Sequence, residues 1–96
     1  MTNQIDDHRI TVSSEAAASI HDDGIVILNT RNGYLFTANR TGARIWRCIE
    51  QQQPFDAIAE KISSEYQIAQ TIAREDSAHF MAELERHGLI ERGAES

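Results

Sequence analysis

Apolar residues alternate with polar ones in the first part of the chain and recur at three- and four-residue spacings in the rest, so strands are expected before helices. In His8–Ser13, Ile10 and Val12 alternate with polar neighbours, which predicts a short half-buried strand. Residues 14–23 are ambiguous: Glu15-Ala16-Ala17-Ala18 favours helix by propensity, whereas Ala18-Ser19-Ile20 would extend a strand. The β-branched run Ile25-Val26-Ile27-Leu28 is followed, after Asn29-Thr30-Arg31-Asn32-Gly33, by Tyr34-Leu35-Phe36-Thr37. The Asn32-Gly33 pair supplies the turn chemistry of a β-hairpin.

Three helices are predicted next. Asn39 or Thr41 offers the N-cap of the first, whose apolar stripe is Ala43, Ile45, Trp46, Cys48 and Ile49. Gln51-Gln52-Gln53-Pro54 ends it, and Pro54 suits the first turn of the second, over residues 54–66. Phe55, Ile58, Ala59, Ile62 and Tyr66 form one face of that helix. The third is expected from about Gln70 to His87, with Ala73, Ser77, Phe80, Met81 and Leu84 on one side. Gly88 is placed as its left-handed C-cap, Leu89-Ile90 fold back on its last turn, and Glu91–Ser96 are expected to fray. Strands followed by three short helices, with no linker or repeat, predict a single α+β domain over residues 1–96 with an ordered core at about 8–91.

Composition narrows the function. With 41% hydrophobic and 25% charged residues the chain is globular, and its longest apolar run, Ile25–Leu28, is far short of the roughly 20 residues that span a bilayer. The acidic N-terminal segment leads into no apolar stretch, so no secretory signal and a cytoplasmic location are expected. Cys48 is the sole cysteine, which leaves no internal disulfide and no cysteine-based zinc cluster. A net charge of -6 repels phosphate backbones, so nucleic acid is a poor partner.

Catalytic constellations are missing from the pattern. His8, His21, His79 and His87 have no metal-ligand spacing, and His79 and His87 stand about 80° apart around a helix, as exposed surface residues do. Cys48 sits among Trp46 and Ile49, where burial raises a thiol pKa and quenches a nucleophile. Glu75, Asp76, Glu83 and Glu85 read as a solvated helix face, and the glycines form no phosphate loop. No enzyme activity, cofactor or metal is expected.

The segments Asp23–Asn29 and Asn32–Trp46, then Phe55–Ala59, Ile62, Glu65–Ile68, Asp76, Phe80-Met81, Leu84 and Gly88–Ile90, together resemble the family of pyrroloquinoline quinone synthesis protein D over roughly residues 10–91. The resemblance implies a winged-helix-like fold, with an N-terminal three-stranded antiparallel sheet followed by three helices. It also implies a non-catalytic recognition element for ribosomally made, post-translationally modified peptides. The precursor's leader segment would lie antiparallel to Tyr34–Ala38 in the cleft beside the third helix, by β-strand addition. The strand residues so implicated are Tyr34, Leu35, Phe36, Thr37 and Ala38; on the helix, Phe80 and Leu84 are assigned to the cleft, with Ala73, Asp76 and Ser77 as neighbours at helical spacing and Asp76 as a candidate partner for a basic leader residue. Either Tyr34 and Phe36 or Leu35 and Thr37 line the core, leaving the other pair for the guest.

Two departures stand out: Ala38 where the family usually carries leucine, and Ala69 where it has a capping acidic or small polar residue. The absence of an aromatic near Gly88-Leu89-Ile90 leans the reading towards lasso-peptide biosynthesis. A modifying enzyme is the implied second partner, either a leader protease and cyclase or a radical-SAM maturase. The alternatives are a winged-helix DNA-binding regulator and a structural subunit of a larger maturase. Against the former, residues 70–88 carry two arginines and four acidic residues, a net of -2.

Overall fold

The computed structural model describes residues 10–92, in the order β1 (Ile10–Val12), β2 (Ala16–His21), β3 (Gly24–Asn29), β4 (Leu35–Ala38), α1 (Arg40–Glu50), α2 (Phe55–Tyr66), α3 (Gln70–Arg86) and β5 (Ile90–Arg92). His8 of the expected first strand lies outside the described residues. Strands β2, β3 and β4 form an antiparallel three-stranded sheet in that order, and three helices follow it, which is the α+β arrangement expected. The ambiguous stretch is strand β2: Ala16–His21 pair residue by residue with Asn29–Gly24, and those ladder bonds outweigh the helix propensity of the alanines.

β1 belongs elsewhere. It pairs antiparallel with β5, Ile10 opposite Arg92 and Val12 opposite Ile90, in a separate two-stranded ribbon that joins the two ends of the described chain. The expected fraying of the tail is therefore corrected for Glu91 and Arg92, which are held in strand β5, while residues 93–96 lie outside the described residues. Burial of Ile90 and Leu89 on one side of this ribbon supplies the reason.

The core is built where the helical stripes meet β3. Ile25 and Ile27 from β3 pack with Ile45, Trp46, Cys48 and Ile49 from α1, Ile58 and Ile62 from α2, and Met81 and Leu84 from α3. Asn39 caps α1, its side-chain oxygen accepting from the Gly42 N–H at 3.0 Å. Pro54 is the N-cap of α2 and does not enter its first turn. Tyr66, expected on the apolar face of α2, is exposed, because the helix ends there and left-handed Gln67 turns the chain away. α3 ends in a Schellman motif: left-handed Gly88 donates to the Glu85 carbonyl at 3.0 Å and Leu89 to that of Leu84 at 2.9 Å.

Two polar contacts tie the layers. Asn29 is buried, donates its side-chain amide to the His87 carbonyl at 2.9 Å and accepts from the Arg31 N–H, so β3 is fastened directly to the end of α3. Arg44 on α1 makes a bidentate pair with Glu65 on α2, at 2.9 and 2.7 Å.

Asn29→Ala leaves the His87 carbonyl without its donor and is expected to cost about 1–3 kcal/mol in urea unfolding. Hydrogen bonding from Arg44 holds the Glu65 carboxyl below the ordinary value of 4.5. Its contribution is therefore present above that value and is lost as pH falls through the lower folded-state pKa. Both side chains are about a third exposed, so Arg44→Met is expected to lower stability by at most about 1 kcal/mol at neutral pH. The difference from the parent protein should shrink in acid titrations below about pH 4.5.

Candidate functional site

β4 is the last strand of its sheet, with β3 on one flank and no strand of the described residues on the other. Main-chain direction along it follows from the register. The Asn29 N–H donates to the Tyr34 carbonyl at 2.8 Å, and Ile27 stands opposite Phe36 and Ile25 opposite Ala38. Hydrogen-bonding direction alternates along an antiparallel strand, so Tyr34, Phe36 and Ala38 bond to β3 while the N–H and C=O groups of Leu35 and Thr37 point out of the free edge. That edge offers a short row of donors and acceptors to an added strand.

Side chains alternate with the same period. Phe36 and Ala38 pack against the core, and Tyr34, on their face, stacks on the His87 ring with centroids 4.1 Å apart. Leu35, 56% exposed, and Thr37 lie on the opposite face. Of the two pairs expected to compete for the core, Tyr34 and Phe36 therefore face α3, and Leu35 and Thr37 face outwards.

α3 runs alongside this edge and meets it through aromatic rings. Phe36 and Phe80 make an edge-to-face pair with centroids 5.9 Å apart, and Phe36 lies 6.0 Å from His87. On one side of this bridge is a hollow of about 310 Å³ between the start of α1 (Asn39, Thr41, Gly42, Ile45) and α3 (Asp76, His79, Phe80, Glu83). On the other side a hollow of about 530 Å³, lined by Tyr34, Arg31, Arg86 and His87 among others, opens beside the hairpin loop. Phe80 lines the first hollow and His87 the second, and Phe36 of β4 lies between these two rings, so a row of rings beside β4 links the hollows into a groove.

Gly42 makes this floor possible. A Cβ there would come within 2.7 Å of the Ala38 side chain and 2.9 Å of the Phe80 ring. Small residues at 38 and 42 let Phe80 lie against the first turn of α1.

The helix residues expected in the cleft divide. Asp76 and Phe80 line it. Ala73, Ser77 and Leu84 are each 0% exposed and face the core, a correction that follows from helical phase: they share the stripe of Met81, turned away from the groove. In their place the groove receives His79, Glu83 and His87, which with Asp76 and Phe80 recur at three- and four-residue steps. His87, expected as an ordinary exposed residue, is half-buried against Tyr34. The sequence signal for this second stripe is weak because polar residues dominate it. Cys48 is fully buried, and desolvation pushes its thiol pKa up, as its sequence neighbours predict. Among the described residues no group of three or more His, Cys, Asp or Glu side chains is arranged to hold a metal.

The family model described as coenzyme PQQ synthesis protein D matches residues 24–90, from the start of β3 to the start of β5. A solved structure described as TbiB1 in complex with the TbiA(beta) leader peptide aligns with a TM-score of 0.81 and 26% identity, over 88% of this chain and 99% of that one. Another, described as lasso peptide synthetase B1 complexed with the leader peptide, aligns with a TM-score of 0.78 and 26% identity, over 85% of this chain and 96% of that one. No curated protein matches the sequence.

If Gly42 shapes the groove as its contacts indicate, Gly42→Ala will displace the Phe80 ring into the hollow of about 310 Å³. The overpacking is expected to cost about 1–3 kcal/mol. A crystal structure of the variant, with thermal unfolding alongside, measures both effects.

Proposed function

The chain belongs to the family of coenzyme PQQ synthesis protein D, and we propose that it binds the leader segment of a ribosomally made precursor peptide and presents it to a modifying enzyme. The observation that carries this reading is the free edge of β4 beside an aromatic groove, in a fold shared with two proteins solved in complex with leader peptides. A guest strand would run antiparallel to β4, exchanging main-chain bonds with Leu35 and Thr37 and laying alternate side chains into the hollows on either side of Phe36 and Phe80. Main-chain bonds provide affinity independent of guest sequence, and the hollows provide selection.

The strand contribution is Tyr34–Ala38. From α3, Asp76 and Phe80 contribute directly, while Ala73, Ser77 and Leu84 hold the helix against the core behind them. The role is recognition without catalysis, in one domain, and the likeness to lasso peptide synthetase B1 complexed with its leader peptide supports a lasso-type pathway in which the enzyme partner is a leader protease or cyclase. A cytoplasmic site of action is part of the same proposal. No helix among the described residues is long and apolar enough to cross a membrane. A DNA-binding role gains nothing from the groove, where Asp76 and Glu83 stand on the helix that would have to meet phosphates.

Thr37→Pro provides the test. It removes an N–H that points away from β3, a position where an edge strand tolerates proline. Circular dichroism should show the fold retained, while isothermal titration with the leader peptide of a precursor encoded beside the gene should show affinity reduced by about tenfold or more. Absence of binding by the parent protein, or unchanged affinity in the variant, would sink the strand-addition reading.

A further inference from the structure

We propose that the hollow between the start of α1 and α3 is a side-chain pocket for lysine or arginine, and that Asp76 determines both this preference and the register in which an antiparallel peptide lies. The inference rests on the peptide groove proposed above and names what the groove selects.

The pocket has a floor for an apolar stem and a rim for a cationic head. Phe80 presents a half-buried ring beside Ile45 and Gly42, and Asp76, His79 and Glu83 project from α3 on the same face. A lysine or arginine laid on that ring would gain a cation–π contact as well as a charge partner.

The two carboxylates are not equivalent. Glu83 is already engaged by Arg86 at 2.6 Å, whereas Asp76 is exposed and has no ion pair among the described residues. Opposing charge nearby is modest. Arg40, the first residue of α1, has its Nε directed to the Asp22 carbonyl at 2.9 Å, and the N-terminus of α1 contributes roughly half a positive charge against the full negative charge of Asp76.

Register follows from the other end of the groove, where Arg31 and Arg86 line the hollow by the hairpin loop together with one carboxylate, Glu15, which lies 4.0 Å from Arg31. With two arginines against one carboxylate, that hollow favours a cation less than the Asp76 pocket does. On a guest antiparallel to β4, the pocket beside Asn39 receives the N-terminal part of the bound segment. The length of Tyr34–Ala38, about 13 Å of strand, then sets the cation about four residues before the residue that faces the Tyr34–His87 stack.

Selection from a random twelve-residue peptide library displayed on phage tests this whatever the natural precursor. The parent protein should enrich lysine or arginine at one position by about tenfold over the input, Asp76→Asn should lose that preference, and Asp76→Lys should turn it towards aspartate or glutamate. Enriched peptides without a charge preference, or an unaltered preference in Asp76→Asn, overturn the inference and leave the groove reading standing. Failure to enrich any sequence removes the groove reading and the inference with it.

Discussion

The buried Asn29 side chain, at the end of β3, donates to the carbonyl of His87, the C-cap of α3, and the Schellman turn at Gly88 directs Leu89 and Ile90 into the core directly beyond it. These contacts anchor α3 to β3 and to the closing ribbon. They do so without main-chain bonds to β4. The helix is thus held close enough to the free edge for rings to touch and far enough for a groove to remain. Had α3 been packed directly onto that edge, the outward N–H and C=O groups of Leu35 and Thr37 would have been buried without partners, an arrangement that folded proteins avoid.

An exposed edge is ordinarily a liability, because it accepts any strand. Here the approach is narrowed by side chains. Tyr34, Phe36, Phe80 and His87 form a continuous aromatic ridge, so a guest has to offer side chains that fit on either side of it. Gly42 and Ala38 are part of the same device, since their small size lets Phe80 lie against α1 and keeps the hollow beside it open. In the proposed role the edge would supply generic affinity and the ridge would restrict its use, a division of labour suited to capture of an extended segment.

The polar stripe of α3 shows how one helix serves two purposes. Ala73, Ser77, Met81 and Leu84 are buried and fasten it, while Asp76, His79, Phe80, Glu83 and His87 look onto the groove. Phe80 sits at the border of both faces, packed against the core and still lining the hollow. This shared border explains why a face chosen by hydrophobicity alone captures Phe80 together with residues that never reach the groove.

The order of residues was enough to define the hairpin, a cap at Asn39 or Thr41, the three helices and the Gly88 stop, because each depends on contacts within a few residues of chain. It was also enough to place Cys48 in the core, from its apolar neighbours. The fate of Ala16–His21 depended on β3 offering a partner, and the pairing of β1 with β5 joins residues some eighty positions apart. Which face of α3 meets the groove likewise depended on where α1 and the sheet stand. Long-range pairing and helical phase against neighbouring layers are properties of the assembled chain, and they become legible once the layers are packed together.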